Sequence, residues 1–357
     1  MIEKEIYEIE KYLTDNIDLD VDYLKEFSNK HVNILELRTY YVYALYKTNQ
    51  IEFASEEIGE LIALYQSKAI QKNSFFLMVE SLVQINQENE IDLLIASLEE
   101  CLTIDNLKKN KWLRLELFKL YEKKEIDYLA WGYLEDAILI DENFYEAILL
   151  RAYRLDLITN CSDIIYQILQ LPQTFVNSDV LNFLGNTYLN CGEIENALKI
   201  FNGSLEMAIT EEAYYFIGYI NHYHLNDYEK AMLYYDKSIS INSKFIDALM
   251  EKAWLLYDME KYEASEALFK EIISNNEEIN AYNQITLFYI RTEKISEALN
   301  YVEKSKSKFG INHMNKGFEL ICLEKIKDDK YVNEYHLYKN KYSAEELSWF
   351  KTLLSEI

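Results

Sequence analysis

Small residues recur at a nearly fixed interval along the second half of the chain, and bulky apolar residues keep step with them. One small set is spaced by 33, 35 and 33 residues, and a second is spaced by 34, 34 and 33. The sets are Gly185, Gly218, Ala253 and Thr286, and Ala197, Ala231, Ser265 and Ala298, the latter followed four positions on by Phe201, Tyr235, Phe269 and Val302. Because antiparallel helices approach closely only where a small side chain faces the neighbour, this pattern predicts a row of helix hairpins.

Turn-like stretches fall between the two predicted helices of each hairpin. They are Asn190-Cys191-Gly192, Asn226-Asp227, Met259-Glu260-Lys261 and Thr292-Glu293-Lys294. The segment 211–244 carries one extra residue before Ala231. A single hairpin cannot bury its apolar face alone, so we expect the hairpins to stack on one another.

The first half of the chain shows a more degenerate form of the same pattern. Small and apolar residues suited to hairpin contacts are Ala54, Ile58 and Leu61 after Tyr43, and Ala130, Leu134 and Ala137 after Trp112. The segment Asn160-Cys161-Ser162-Asp163-Ile164 echoes Asn190-Cys191-Gly192-Glu193-Ile194, which indicates a shortened hairpin before Pro172. We therefore expect about nine hairpins between residues 31 and 340.

Both ends of the chain are predicted to cap this row. Ile2, Ile6, Ile9 and Leu13 lie on one face of a first helix that should cover the first hairpin. Ser343-Ala344-Glu345-Glu346 is typical of a capping box that starts a last helix. The predicted divisions are capping helices at 1–30, degenerate hairpins at 31–177, clear repeats at 178–311, and a degenerate hairpin with a capping helix at 312–357.

The run Leu184-Gly185-x-x-Tyr188, followed by Ala197 and Phe201, resembles the tetratricopeptide repeat, whose period is about 34 residues. The resemblance covers 178–311 and departs from the family at the end of each unit, where the usual proline is missing. It implies an all-α fold, a right-handed superhelical solenoid of antiparallel hairpins, and a role in binding another protein.

Charge and cysteine content narrow the function classes. The 36 Lys and Arg against 61 Asp and Glu give a net charge of −25, which repels nucleic acid and anionic lipid and attracts basic partners. A competing interpretation is that the acidic faces only keep the protein soluble. The four cysteines form no C-x-x-C pair, and the acidic N-terminus resembles no signal peptide, so we expect reduced thiols and a cytoplasmic protein without a membrane span.

No catalytic, cofactor-binding or metal-binding constellation is predicted. None of the eight glycines forms a phosphate-cradling cluster. His222 and His224 are two positions apart and would point to different sides of a helix, so they cannot chelate one metal. Neighbouring acids such as Glu211 and Glu212 diverge on a helix and do not form an acid–base pair. We therefore expect a binding protein rather than an enzyme.

The resemblance implies that the first helix of each hairpin lines a concave groove where partners bind. The candidate lining residues are Asn182, Asn186, Asn190, Tyr215, Tyr219, His222, Tyr223, Glu251, Trp254, Tyr257, Asn283, Gln284, Leu287 and Arg291. The three asparagines are spaced i, i+4, i+8, so their amides share one helix face, where carboxamides suit a peptide backbone. The competing interpretation is that Asn and Tyr simply abound, with 31 tyrosines along the chain.

Three functions fit this sequence. The first is a scaffold or adaptor that binds a protein or an extended peptide in its groove. The second is a peptide-sensing bacterial regulator that acts through protein contacts, because the layout resembles regulators in which such an array receives a short signal peptide. The third is an acidic immunity protein or chaperone that neutralises a basic partner. The sequence leaves the choice among them, the partner and the oligomeric state open.

Overall fold

The computed structural model describes residues 2–16, 19–31, 34–68, 70, 72–85, 90–103, 110–155, 160–275 and 278–356. Within these residues the chain forms 21 α-helices and no β-strand. The first ten helices are α1 (Ile2–Asp15), α2 (Val21–Lys30), α3 (Leu35–Lys47), α4 (Ile51–Ser67), α5 (Ser74–Gln84), α6 (Ile91–Leu102), α7 (Lys111–Lys123), α8 (Asp127–Ile140), α9 (Tyr145–Arg154) and α10 (Cys161–Leu169). The others are α11 (Ser178–Asn190), α12 (Ile194–Met207), α13 (Glu211–Tyr223), α14 (Tyr228–Ile241), α15 (Ile246–Asp258), α16 (Tyr262–Asn275), α17 (Ile279–Arg291), α18 (Ile295–Phe309), α19 (His313–Lys325), α20 (Lys330–Lys341) and α21 (Ala344–Glu356).

The order of the helices confirms the predicted hairpin array. Over the described part of the chain, nine successive helix pairs run from α3/α4 to α19/α20, with α1 and α2 before them and α21 after them. The chain divides into two compact units, Met1–Ala197 (unit 1) and Leu198–Ile357 (unit 2), and the division falls inside α12. Within each unit the two helices of a pair pack together, as α7 does with α8 and α13 with α14.

Small residues allow this close pairing, as the sequence predicts. A Cβ atom added to Gly218 would lie 2.7 Å from Cδ1 of the Tyr235 ring, so only glycine fits where α13 meets α14. In the next hairpin, Ser265 Oγ donates a hydrogen bond to the backbone oxygen of Ala253 at 2.7 Å, which joins α16 directly to α15. The members of both small sets are buried. The spacing of small residues in the sequence is therefore the spacing of helix–helix contacts.

A left-handed residue closes the turn between the two helices of most hairpins. Positive φ angles occur at Asn49, Glu125, Gly192, Asn226, Glu260, Glu293 and Lys327. In six of these seven turns, the next residue donates its backbone N–H to the carbonyl five positions earlier, as Lys294 does to Tyr289 at 2.8 Å. This is the Schellman arrangement, which satisfies carbonyls that the helix end would otherwise leave unpaired. Only one of the seven positions is a glycine.

The turn between α13 and α14 accommodates the extra residue of that repeat. Here the backbone N–H of Asp227 reaches the carbonyl of Asn221 at 2.8 Å, six positions earlier, and the Asp227 side chain accepts a hydrogen bond from the N–H of Lys230. The insertion therefore lengthens the turn, and the helix contact at Gly218 is kept.

The two ends differ in how far they fit the predicted caps. At the C-terminal end, Ser343 and Glu346 form the predicted capping box, with side-chain to backbone distances of 2.8 and 3.2 Å, and α21 packs on α19. At the N-terminal end, α2 packs on α3. The first helix, α1, contacts α3 but also α9, so it reaches from the first hairpin to the fourth.

The expectation of four reduced thiols is wrong for two of the cysteines. Cys161 and Cys191 form a disulfide with a Cα–Cα distance of 5.9 Å, whereas Cys101 and Cys322 are free and buried. The two bonded residues are the cysteines of the two similar segments noted in the sequence, which belong to consecutive hairpins. Cys161 is the first residue of α10, and Cys191 directly follows the last residue of α11. Stacking brings positions 30 residues apart into contact, so a pair needs no short spacing in sequence. The cytoplasmic location consequently loses its support from the cysteines and stays a prediction.

Gly218→Ala should destabilise the protein by about 1–3 kcal/mol, because the new methyl group overlaps the buried Tyr235 ring. Urea unfolding of wild type and variant measures this loss. Gly59→Ala and Gly132→Ala are the matched controls, since nothing lies within 4 Å of a Cβ at either helical site. Each control should stabilise the protein by about 0.5–1 kcal/mol, and equal effects at all three sites would contradict the packing argument.

Replacing both Cys161 and Cys191 by serine should lower the free energy of unfolding of the oxidised protein by about 3–4 kcal/mol, because the disulfide no longer closes a loop in the unfolded chain. Thermal unfolding with and without reductant measures the change. Reduced wild type should match the double variant. A wild type whose stability ignores reductant would show that the bond does not form in solution.

Candidate functional site

The candidate residues of unit 2 lie on neighbouring first helices of consecutive hairpins. α13 contacts α15, a hydrogen bond from Trp254 to Gln284 joins α15 to α17, and α17 contacts α19, so these helices lie side by side. We call the surface formed by α13, α15 and α17 the unit 2 inner face. Tyr219 and Tyr223 from α13, Glu251 from α15, and Gln284 and Leu287 from α17 are half-buried or exposed on these helices.

The three asparagines of the predicted line belong to α11 in unit 1. Asn182 is only 3% exposed. Asn190 donates from Nδ2 to the backbone oxygen of Asn186 at 2.8 Å and to its Oδ1 at 3.1 Å. The amides of Asn186 and Asn190 therefore bond each other within the helix, a use that the spacing alone did not reveal.

A ladder of tyrosine rings runs along α13 toward a carboxylate on α15. The rings of Tyr215 and Tyr219 are 6.3 Å apart, and those of Tyr219 and Tyr223 are 4.7 Å apart. Tyr223 is 43% exposed, and its hydroxyl donates a hydrogen bond of 2.7 Å to Glu251 Oε2. Tyr215 packs edge-on against Phe245 at 5.6 Å, which fixes the inner end of the ladder. The ladder thus presents aromatic surface beside a fixed carboxylate.

Glu251 has an electrostatic environment that opposes its charge. Burial raises the pKa of its carboxyl, the hydrogen bond from Tyr223 lowers it, and the charges of Asp247 and Asp258 raise it further, with a net upward shift. Among the residues that the structure describes, no Lys or Arg forms an ion pair with Glu251. Its negative charge is therefore partly desolvated and lacks a neighbouring cation within the described chain.

In unit 1, lysines pair with the buried and half-buried carboxylates of the first helices. Glu146 on α9 pairs with Lys47 of α3 at 2.5 Å and with Lys119 of α7 at 3.0 Å. Glu116 pairs with the same Lys119 at 3.3 Å and accepts a hydrogen bond from Tyr43 at 3.0 Å. Burial alone would raise the pKa of Glu146, but the two lysines outweigh it and lower the pKa to about 2. Unit 1 therefore neutralises these carboxylates with its own lysines.

His222 does not lie open in the groove as the sequence suggested. The residue is 2% exposed, its Nε2 is 2.8 Å from Asp258 Oδ2, and its Nδ1 is 3.4 Å from the Tyr235 hydroxyl. A neutral ring that carries its proton on Nε2 satisfies both contacts. Burial lowers the pKa of His222 more than the contact with Asp258 raises it. His222 thus ties α13 to α14 and α15 rather than facing a partner.

Trp254 links α15 to α17. The residue is 7% exposed, and its Nε1 donates to Gln284 Oε1 at 2.9 Å. The exposed Arg291 places its guanidinium 5.1 Å from the centre of the indole ring, and the half-buried Tyr257 packs edge-on against it at 5.5 Å. Trp254 is therefore a packing residue beneath the inner face, and Gln284, Tyr257 and Arg291 form the surface above it.

A pocket continues the inner face toward the C-terminal helix. Its volume is about 330 Å³, and its lining is mostly apolar, with amide groups contributed by α17. It is lined by Asn280, Asn283, Gln284, Leu287, Met314, Phe318, Trp349, Thr352 and Leu353. Three of these residues were candidates from the sequence, and the contributions of α19 and α21 were missed. A Cβ on Gly317 would lie 2.6 Å from the Trp349 ring, so this glycine makes room for the ring.

The described residues contain no cluster of three or more His, Cys, Asp or Glu that could hold a metal ion. None of the helices in the same residues is both long and apolar enough to cross a membrane.

Residues 178–208 and 211–245 match the tetratricopeptide repeat family model, and they coincide with the pairs α11/α12 and α13/α14. A TPR repeat-containing protein of Methanocaldococcus jannaschii is 25% identical over 330 residues, covering 84% of this chain and 55% of that protein. The chain thus spans about half the length of this relative.

Two solved structures are also similar. A tetratricopeptide repeat protein from Parabacteroides merdae is 18% identical with a TM-score of 0.44, covering 79% of this chain and 98% of that chain. The C-terminal part of a TPR repeat-containing protein from Cytophaga hutchinsonii is 19% identical with a TM-score of 0.46, covering 69% and 98%.

Acidification should destabilise the protein through His222. Its pKa is lower in the folded state than the unperturbed value of about 6.5, so the unfolded chain binds more protons and stability falls as pH drops below about 6.5. Urea unfolding of wild type and His222→Gln across this range isolates the effect, since other groups cancel in the difference. The wild type should lose more stability than the variant on acidification. A difference that does not change with pH would contradict the assignment.

Proposed function

We propose that this tetratricopeptide repeat protein binds an extended peptide or a segment of another protein on the unit 2 inner face, and that a Lys or Arg of this partner lies beside Glu251. The observation that carries the proposal is the half-buried Glu251 carboxylate, which has tyrosines around it and no cation paired with it among the described residues. We propose no catalytic role for it.

The contrast between the two units supports a partner that supplies the cation. Buried carboxylates on first helices of unit 1 pair with Lys47 and Lys119. Glu251 occupies a first helix of unit 2, yet its charged neighbours are Asp247 and Asp258. A desolvated charge without a partner is unfavourable, and an incoming ammonium or guanidinium group relieves that penalty. The position is therefore better suited to a basic partner than to an acidic one.

The tyrosine ladder supports the same partner. The Tyr223 ring stacks on His222 on one side, and its exposed part lies beside the carboxylate, where it suits a cation–π contact with an Arg or Lys side chain. Tyrosines also supply large contact area with few rotatable bonds, as in the strong positions of many interfaces. The net charge of −25 draws basic segments toward the protein from a distance.

This proposal corresponds to the scaffold or adaptor function, and it is compatible with the two narrower hypotheses from the sequence. A peptide-sensing regulator would use the inner face for a short signal peptide. An immunity protein or chaperone would use it for a strongly basic partner. A cytoplasmic location and the absence of direct nucleic-acid binding also remain predictions.

A pair of synthetic peptides tests the proposal. Each has about twelve residues, enough to span about 40 Å when extended. Both contain Ser, Gly and one Leu, and they differ only in carrying two arginines or two citrullines, which are neutral and nearly isosteric. Fluorescence anisotropy with the full chain should show the arginine peptide binding at least about tenfold more tightly, because hydrogen bonds to charged groups contribute about 1.5–3 kcal/mol.

Glu251→Gln should remove that preference, and Tyr223→Phe should weaken it by a smaller factor. Glu229→Gln is the matched control, since Glu229 is an exposed acid on α14 and its loss changes the net charge equally. Binding of the arginine peptide should also weaken as salt is raised. Equal binding of both peptides, or equal losses in the Glu251 and Glu229 variants, would overturn the proposed site.

A further inference from the structure

The N-terminal helix lies against the first helices of unit 1. Ile9 and Leu13 of α1 are buried at 2% and 5% exposure within the unit 1 core. α1 contacts α3 and α9, which are the first helices of the first and fourth hairpins. These are the helices that correspond by order in their hairpins to α13, α15 and α17 of unit 2. In unit 1, therefore, a helix of the chain itself covers first helices of the kind that form the unit 2 inner face.

In three hydrogen bonds that hold α1 in unit 1, the donor belongs to the rest of the unit and the acceptor to α1. The Tyr40 hydroxyl of α3 donates to Glu10 Oε1 at 2.6 Å. Lys111 Nζ, at the start of α7, donates to Thr14 Oγ1 at 2.6 Å, and Thr174 Oγ1 donates to the backbone oxygen of Asp15. In all three bonds α1 is the acceptor, although Thr174 lies outside α3, α7 and α9 and its acceptor is a backbone oxygen. The two side-chain acceptors, Glu10 and Thr14, meet donors of α3 and α7. Glu36 of α3 also lies near Glu10, and Asp141 pairs with Lys111. This surface therefore selects a helix with hydrogen-bond acceptors beside its aliphatic residues, rather than a helix of net negative charge.

The packing of α1 against unit 1 is incomplete. An open cavity of about 620 Å³ lies beside the helix, between Tyr7 and Lys11 of α1 and residues such as Asp141 and Tyr145. Glu5 Oε2 is buried and has no hydrogen-bond partner among the described residues. An unsatisfied buried oxygen weakens the attachment of a helix, and the open cavity leaves one side of α1 without packing against unit 1. The Tyr40 hydroxyl and Lys111 Nζ could donate the same hydrogen bonds to another helix that carries acceptors at the matching positions.

We propose that this face of α3, α7 and α9 is a second binding surface, occupied by α1 in the free protein and opened when an amphipathic helix of a partner displaces α1. The partner helix carries two aliphatic residues four positions apart, as Ile9 and Leu13 are, and an acid or hydroxyl group that reaches Tyr40 and Lys111. This surface is distinct from the unit 2 inner face, and it selects hydrogen-bond acceptors beside aliphatic residues rather than a net charge.

A labelled peptide with the sequence of residues 2–16 is the probe. The tethered α1 competes at an effective concentration in the millimolar range, so the peptide should bind the wild-type chain weakly. Leu13→Ser in the full chain loosens the tethered helix and should tighten binding of the wild-type peptide at least about tenfold. Glu8→Ser, on the exposed side of α1, is the matched control and should leave the affinity unchanged. A peptide that carries Glu10→Leu should bind more weakly, because it leaves the Tyr40 hydroxyl without its acceptor.

Equal or absent binding to wild type and the folded Leu13→Ser chain would overturn the proposal, because α1 would then be a permanent part of the core. Hydrogen–deuterium exchange on the wild-type chain decides the question if that variant does not fold. Excess unlabelled peptide should speed exchange of the α1 amides, and unchanged exchange in α1 would also overturn the proposal. Glu251→Gln should not change the affinity for this peptide, which separates this surface from the one proposed above.

Discussion

The close approach of two helices within each hairpin is the contact on which the rest of the structure depends. At Gly218 the missing side chain lets the Tyr235 ring lie against the backbone of α13, and at Ser265 a hydroxyl bonds the backbone of α15. These contacts fix the rotation of each first helix about its own axis. Consequently, one side of each first helix faces its partner in the hairpin, and another is left for the inner face.

The two units use their first helices in different ways. Unit 1 fills this region with Lys47, Lys119 and their carboxylate partners, and covers part of it with α1. Unit 2 leaves aromatic rings and the Glu251 carboxylate without such compensation among its described residues. Because charge pairing inside a protein stabilises it only when both partners are present, the same local architecture yields a self-contained surface in one unit and an incomplete one in the other.

The sequence predicted the features that depend on local periodicity. The small residues, the turns, the nine hairpins and the capping box at Ser343 all follow from residues within about one repeat of each other. The features it missed depend on contacts between repeats. The Cys161–Cys191 bond joins two hairpins, and the contacts of α1 with α9 and of Trp349 with Gly317 join a terminal helix to a hairpin. His222 was misplaced because helix periodicity gives a residue's side of the helix only to within about 100°.

The turns between helices hold residues whose backbone conformation favours glycine, such as Glu260, Glu293 and Lys327. Each such position is about 1 kcal/mol less stable than it would be with a residue suited to the left-handed region. At each of these turns, a single substitution to glycine or asparagine would therefore raise the stability of the protein and offset a loss elsewhere. A change on an inner face that suits a new partner but weakens packing can be offset at one of these turns, far from any bound ligand. An array of this design separates the evolution of recognition from the maintenance of the fold.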